Sequence, residues 1–115
     1  MPFHLEQTVD LIEALENHRE RNRPAEEIRS QLDLDYRIDG QSVFLFEVRP
    51  VWNDPSRIAQ LDYAKATFVK AANHWKVFWL RANGKWEAYR PTPVVATIHD
   101  FLKLVDEDKH HCFKG

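Results

Sequence analysis

The sequence predicts an α+β fold: an antiparallel sheet of about five strands built on two tight hairpins, with two N-terminal helices and one C-terminal helix packed mainly on one face. Two observations carry this prediction. Asp39-Gly40 and Asn83-Gly84 each lie between alternating apolar runs, a strong hairpin signal because both central residues of a type I′ turn take positive φ. Apolar residues at helical spacing open the chain at Leu5, Val9, Ile12 and Leu15 and close it at Ile98, Phe101, Leu102 and Val105.

The first helix is amphipathic, with Glu6, Asp10, Glu13 and Glu16 between its apolar positions, and is expected to reach about Arg21. Pro24 suits the first turn of a second, short helix through about Gln31, with Ala25, Ile28 and Leu32 facing inward. Leu34, Tyr36 and Ile38 then alternate into Asp39-Gly40, and Val43, Leu45 and Glu47 return on the same face. The opposite face holds Asp35, Arg37, Phe44, Phe46 and Val48. Pro50 is expected to end that strand, and Val51 to Asp62, with Asn53-Asp54-Pro55-Ser56 inside it, reads as a loop. Ala64 to Ala71 reads as a third strand, followed in meander order by the two strands of the second hairpin. Thr97 is placed to cap the last helix, with Asp100 three residues on. Residues 109–115 read as a mobile tail.

The stretch from Trp75 to Arg90 holds three of the four tryptophans. A two-residue Asn83-Gly84 loop sets Arg81 opposite Trp86 and Trp79 opposite Ala88. One face then carries Trp75, Val77, Trp79, Arg81, Trp86, Ala88 and Arg90, and the other Lys76, Phe78, Leu80, Lys85, Glu87 and Tyr89. Neither face is plainly polar, so one packs on the core and the other is left for chain, partner or ligand.

At 115 residues the chain fits one domain, residues 1–115, able to bury about 65% of its unfolded surface. No apolar run approaches the ~20 residues needed to span a bilayer. The start, Met1-Pro2-Phe3-His4-Leu5-Glu6, lacks a cationic stretch followed by an apolar one, so a cytoplasmic location without a membrane partner is expected. The lone Cys112 agrees with a reducing compartment. The net charge of −2 hides an asymmetry: Met1 to Asp39 holds ten acidic and five basic residues, Gly40 to Arg90 four acidic and eight basic. A basic sheet attracts phosphate-bearing partners, or merely complements an acidic helical layer.

The segments Gln41-Ser42-Val43 through Phe46-Glu47-Val48-Arg49-Pro50, Trp52 with Asp54-Pro55, Ala64-Lys65-Ala66-Thr67, Trp75-Lys76-Val77 and Val105-Asp106-Glu107-Asp108 with Cys112-Phe113 resemble a bacterial family, the domain of unknown function DUF3024. The resemblance runs from about Leu5 to Gly115. It implies no activity, cofactor or catalytic residue, so function has to come from the residues.

Trp75, Trp79 and Trp86 with Arg81, Lys85 and Arg90 combine stacking surfaces with cations, the pairing that holds unstacked bases and their phosphates. The leading expectation is therefore a binding module without catalysis, for nucleic acid or another anionic partner; the competing reading of the tryptophans is core. A second reading is a protein-interaction or homodimer module whose Phe44 and Phe46 face is covered by another subunit. A third is a metal-dependent nuclease: Glu47 falls where a core residue belongs, and an acidic residue followed by Glu-x-basic outlines such sites. Arg49 stands where lysine is usual there, and a Glu47–Arg49 ion pair is the plainer expectation. His110, His111 and Cys112 follow one another too directly to converge on an ion, and no phosphate loop or dinucleotide fingerprint occurs. No metal site and no cofactor is expected.

Overall fold

The computed structural model of this protein describes residues 5–113, with side chains from Gln7 onward. The order is α1 (Leu5–Asn22), β1 (Asp33–Asp39), β2 (Ser42–Val51), β3 (Asp54–Val69), β4 (His74–Leu80), β5 (Trp86–Ala88), β6 (Val94–Val95) and α2 (Ile98–Glu107). The first five strands pair in sequence order, each antiparallel to the next, and β6 pairs with β4 beside the short β5.

Two helices are present where the sequence suggests three. Glu26 to Gln31 forms turns instead of a second N-terminal helix, with Ile28 N–H donating to Ala25 O (2.9 Å) and Gln31 N–H to Ile28 O (2.8 Å). Six residues give too few hydrogen bonds to offset helix nucleation, and Ala25 and Ile28 are exposed, so no packing supplements them. Arg23 instead clamps the segment to β1 through a bidentate bond to Asp33, at 2.9 and 2.8 Å.

Both helices lie on one face of the sheet. Leu11, Ala14 and Leu15 of α1 and Ile98, Phe101, Leu102 and Val105 of α2 close over Val43, Leu45, Ala64, Ala66, Phe68, Trp75, Val77 and Tyr89. The buried stripe of α1 is Leu11-Ala14-Leu15-His18, so the expected inward positions Val9 and Ile12 point to solvent. His18 and Asn22 join Asp106 of α2 at 3.3 and 3.0 Å, with Arg21 at 3.2 Å, a polar clasp between the helices. Thr97 caps α2 as expected, its Oγ1 accepting from Asp100 N–H at 3.1 Å.

The first hairpin carries the predicted faces, but its loop is Gly40-Gln41: Asp39 pairs with Ser42, Ile38 with Val43 and Tyr36 with Leu45. The expected loop from Val51 to Asp62 is strand. β2 and β3 run on together past the end of β1 and turn only at Trp52-Asn53. Pro50 is tolerated inside β2 because β1 stops at Val48, so no third strand asks it for an N–H. Tyr63 is an extra residue in the β2–β3 ladder, between the pairs Leu45–Ala64 and Phe46–Asp62, and this bulge turns its ring into the core.

Of the segment expected as a tail, residues 109–115, Phe113 is buried with its ring 4.8 Å from that of Tyr89, and its N–H donates to Asp108 Oδ1 at 3.1 Å. Lys114 and Gly115 lie outside the described residues, as do Met1 to His4. No helix among the described residues is long and apolar enough to cross a membrane.

Candidate functional site

The second hairpin closes one residue later than a two-residue Asn-Gly loop would. Arg81 N–H donates to Lys85 O and Gly84 N–H to Arg81 O, both at 2.9 Å, so Ala82, Asn83 and Gly84 form a three-residue loop. Only Gly84 is left-handed, with φ +82, and Asn83 uses its side chain instead, accepting from Lys85 N–H at 3.0 Å. This is the turn in which a glycine forms the bulge after an ordinary right-handed bend. The one-residue difference turns β5 over: Leu80 pairs with Trp86, Trp79 with Glu87 and Phe78 with Ala88. Tyr89, assigned by sequence to the face of Phe78, donates its N–H to Val77 O and buries its ring in the core.

The six expected ligand-binding residues are thereby divided. Trp75 is 5% exposed and its ring lies 5.1 Å from that of Phe68 inside the core. Trp79 is half-buried against the same core. Arg81 and Arg90 reach Glu87 at 3.7 and 3.2 Å, and Lys85 is exposed at the loop. Trp86 alone stands on the opposite face, its ring 6.0 Å from Phe44 in an edge-on contact.

That opposite face is the one no helix covers, and its side chains make a layer of rings and cations. Lys65 of β3 lies at its centre, with Nζ 4.8 Å from the ring centroid of Phe78, 5.4 Å from Trp86 and 5.7 Å from Phe44. These rings come from β4, β5 and β2, brought together by the register that pairs Phe44 with Lys65 and Lys65 with Phe78. Arg37 of β1 extends the layer, its guanidinium 4.3 Å from the centre of Phe44 and 5.6 Å from Phe46. Asp62 holds Arg37 flat by a bidentate pair at 2.6 and 2.9 Å, which raises the guanidinium pKa further still. Lys65 and the exposed Lys76, which pairs with Thr67 on the same face, enter no ion pair among the described residues. Half-buried Phe44, Phe78 and Trp86 next to unpaired ammonium groups can stack a planar group and hold a negative charge beside it. Lys65, Phe78 and Arg37 are absent from the sequence-derived site. Their signal is the apolar alternation on both sides of each hairpin.

Glu47 is bound to Arg49, whose Nε and Nη2 stand 2.7 and 2.6 Å from Oε2. Among the described residues no group of three His, Cys, Asp or Glu side chains converges on a point. Burial pushes the Cys112 thiol pKa up, with Asp108 adding to it, so Cys112 is less thiolate at neutral pH than a free cysteine. No curated protein and no solved structure matches the chain. The model of the family described as Domain of unknown function (DUF3024) matches residues 4–115, nearly the whole sequence, and the chain belongs to that family.

Proposed function

We propose that the protein is a binding module whose helix-free sheet face takes single-stranded nucleic acid. The observation that carries this is the set of three rings, Phe44, Phe78 and Trp86, around an ammonium group that has no carboxylate partner among the described residues. Rings on a sheet meet unstacked bases face to face, and a base inside a duplex has no free face to offer. Trp86 and Phe78 supply stacking in this reading, and Lys65 and Lys76 supply charge. Arg81 and Arg90, both tied to Glu87, lie on the other side of the hairpin and contribute little. Stacking accepts any base, so weak sequence preference follows.

The test is anisotropy of fluorescent single-stranded DNA, single-stranded RNA and duplex DNA at about 50 and about 200 mM salt, where phosphate contacts lose affinity steeply. Single strands are expected to bind and to weaken with salt. Trp86→Ala is expected to weaken binding by about tenfold, the scale of one lost stacked base. Absence of binding at the lower salt sinks the reading. Binding lost in Arg81→Ala with Arg90→Ala, yet kept in Trp86→Ala, moves the site to the other side of the hairpin.

A further inference from the structure

The open sheet face is interrupted beside the ring-and-lysine cluster. β5 and β6 both pair with β4, β5 opposite Phe78 and β6 opposite Lys76. Between them the chain makes a turn, Thr92 N–H donating to Tyr89 O at 3.2 Å, while Tyr89 buries its ring in the core. The gap is a cavity of about 260 Å³ lined by Lys76, Val77, Phe78, Ala88, Pro93 and Val94. The pairs Phe78–Ala88 and Lys76–Val94 put these side chains on the open face, so the cavity shares the Phe78 ring with the cluster around Lys65. Apart from Lys76, no lining side chain carries a polar atom. The Val77 backbone is spent as well, its N–H on Pro93 O at 3.0 Å and its O on Tyr89 N–H at 2.9 Å.

We propose that this cavity seats the C5 methyl group of a thymine, so that the open face prefers thymine among the bases of a single strand. The inference rests on the single-strand reading of that face and adds to it a preference that stacking lacks. Chemistry is the first argument. A polar base edge pushed against these walls would give up water for no new partner, whereas a methyl group gains by leaving water. Of the four DNA bases only thymine carries one, and apolar contact with that methyl group is a known way of reading it. Size is the second. The cavity lies below the roughly 300–1,000 Å³ of pockets that enclose a drug-sized ligand, so it admits the edge of one ring and leaves the sugar and phosphate outside. Charge and continuity are the third. Lys76 is exposed, enters no ion pair among the described residues and borders the cavity, where a phosphate attached to the seated nucleotide can meet its ammonium group. Trp86 and Ala88 are two residues apart on β5, about 7 Å along the strand, so a base stacked on Trp86 and a thymine in the cavity can belong to one chain.

Anisotropy with oligo(dT) and oligo(dU) of equal length isolates the methyl group, because the two strands differ in nothing else. The protein is expected to bind oligo(dT) about fourfold more tightly, the worth of one buried methyl group. This ratio is expected to hold at about 50 and about 200 mM salt while both affinities fall, since an apolar contact is not screened. Ala88→Leu, at an exposed position, is expected to fill the cavity and lower oligo(dT) binding to the level of oligo(dU), with unchanged far-UV circular dichroism. Val94→Leu fills it from the β6 side and is expected to level the two strands in the same way. Equal binding of oligo(dT) and oligo(dU) by the unaltered protein overturns the proposal and leaves the single-strand reading standing. A thymine preference that survives both substitutions overturns it too, and absence of binding to either strand removes both readings together.

Discussion

Trp75 and Trp86 stand eleven positions apart on neighbouring, hydrogen-bonded segments, and the sheet sends them opposite ways. Trp75 enters the helix-covered face among Phe68, Val77 and Val95, where it is nearly inaccessible. Trp86 lands on the open face beside Phe44 and Lys65, with part of its ring in solvent. The covered face is built on the aliphatic and aromatic core, whereas the open face alternates rings with cations, and its lysines meet no counter-charge among the described residues. The same residue type thus stabilises on one side and is available to a ligand on the other, and the difference is one residue of loop.

The largest test of this contrast is a pair of truncations. Trp75→Ala is expected to destabilise the fold by about 3–5 kcal/mol, the range for deleting a large ring from a packed core. Trp86→Ala is expected to cost less than about 2 kcal/mol, since a half-buried ring removes less area from water. Urea unfolding of both variants reads the difference. Equal losses would make the open face a second core and erase the distinction.

Alkaline pH separates the faces next. Tyr63 and Tyr36 belong to the covered side, and burial pushes both phenols up, Tyr36 to about 12 with help from the Glu16 carboxylate and Tyr63 further. A folded pKa above the unfolded value of about 10 means the native state keeps a proton that the unfolded chain has lost. Stability is therefore complete below about pH 10 and falls as pH rises toward the folded values, by about 1.4 kcal/mol per pH unit for a deeply buried group. Tyr63→Phe is expected to flatten this alkaline decline, measured as denaturant midpoints at pH 8 and pH 11. An unchanged slope would place the titrating group elsewhere.

Much of this fold is legible because its signals are local. Thr97, Asp100 and the stripe Ile98, Phe101, Leu102 and Val105 define α2 within eleven residues. The first hairpin keeps its predicted faces although its loop is Gly40-Gln41, because sliding a two-residue loop by one position changes the register by two. The second does not, because lengthening the loop from two residues to three changes the register by one and inverts β5. Pro50, Asn53 and Pro55 are honest loop signals that the extended β2–β3 pair tolerates only because one edge of each strand has no neighbour. The ring-and-lysine cluster draws on β2, β3, β4 and β5, and no local pattern gives the registers that bring Lys65 between Phe44 and Phe78.

Gly84 is the residue on which that inversion turns. With φ at +82 and nothing within 4 Å of where a Cβ would stand, Gly84→Ala is expected to cost about 1–2 kcal/mol through backbone strain alone. A thermal scan would read this as a drop of several degrees. A neutral result would mean that Gly84 is not left-handed and that the loop is of another type.

The finest test removes Ala82. In the three-residue loop Arg81 already pairs with Lys85, so deleting Ala82 leaves Asn83-Gly84 between the same two residues, now as the two-residue turn that those residues favour. Every pair below the loop is kept: Trp86 stays opposite Leu80, and Tyr89 stays on the core side against Val77. Stability is expected to change by less than about 1 kcal/mol in urea, because a preferred turn replaces a tolerated one. A hairpin with Arg81 opposite Trp86 behaves differently, since removing Ala82 would then force β5 to slip and expel a buried ring. A loss of several kcal/mol on deletion would therefore return Trp86 to the face of Trp75, while a neutral deletion keeps it among Phe44, Lys65 and Phe78.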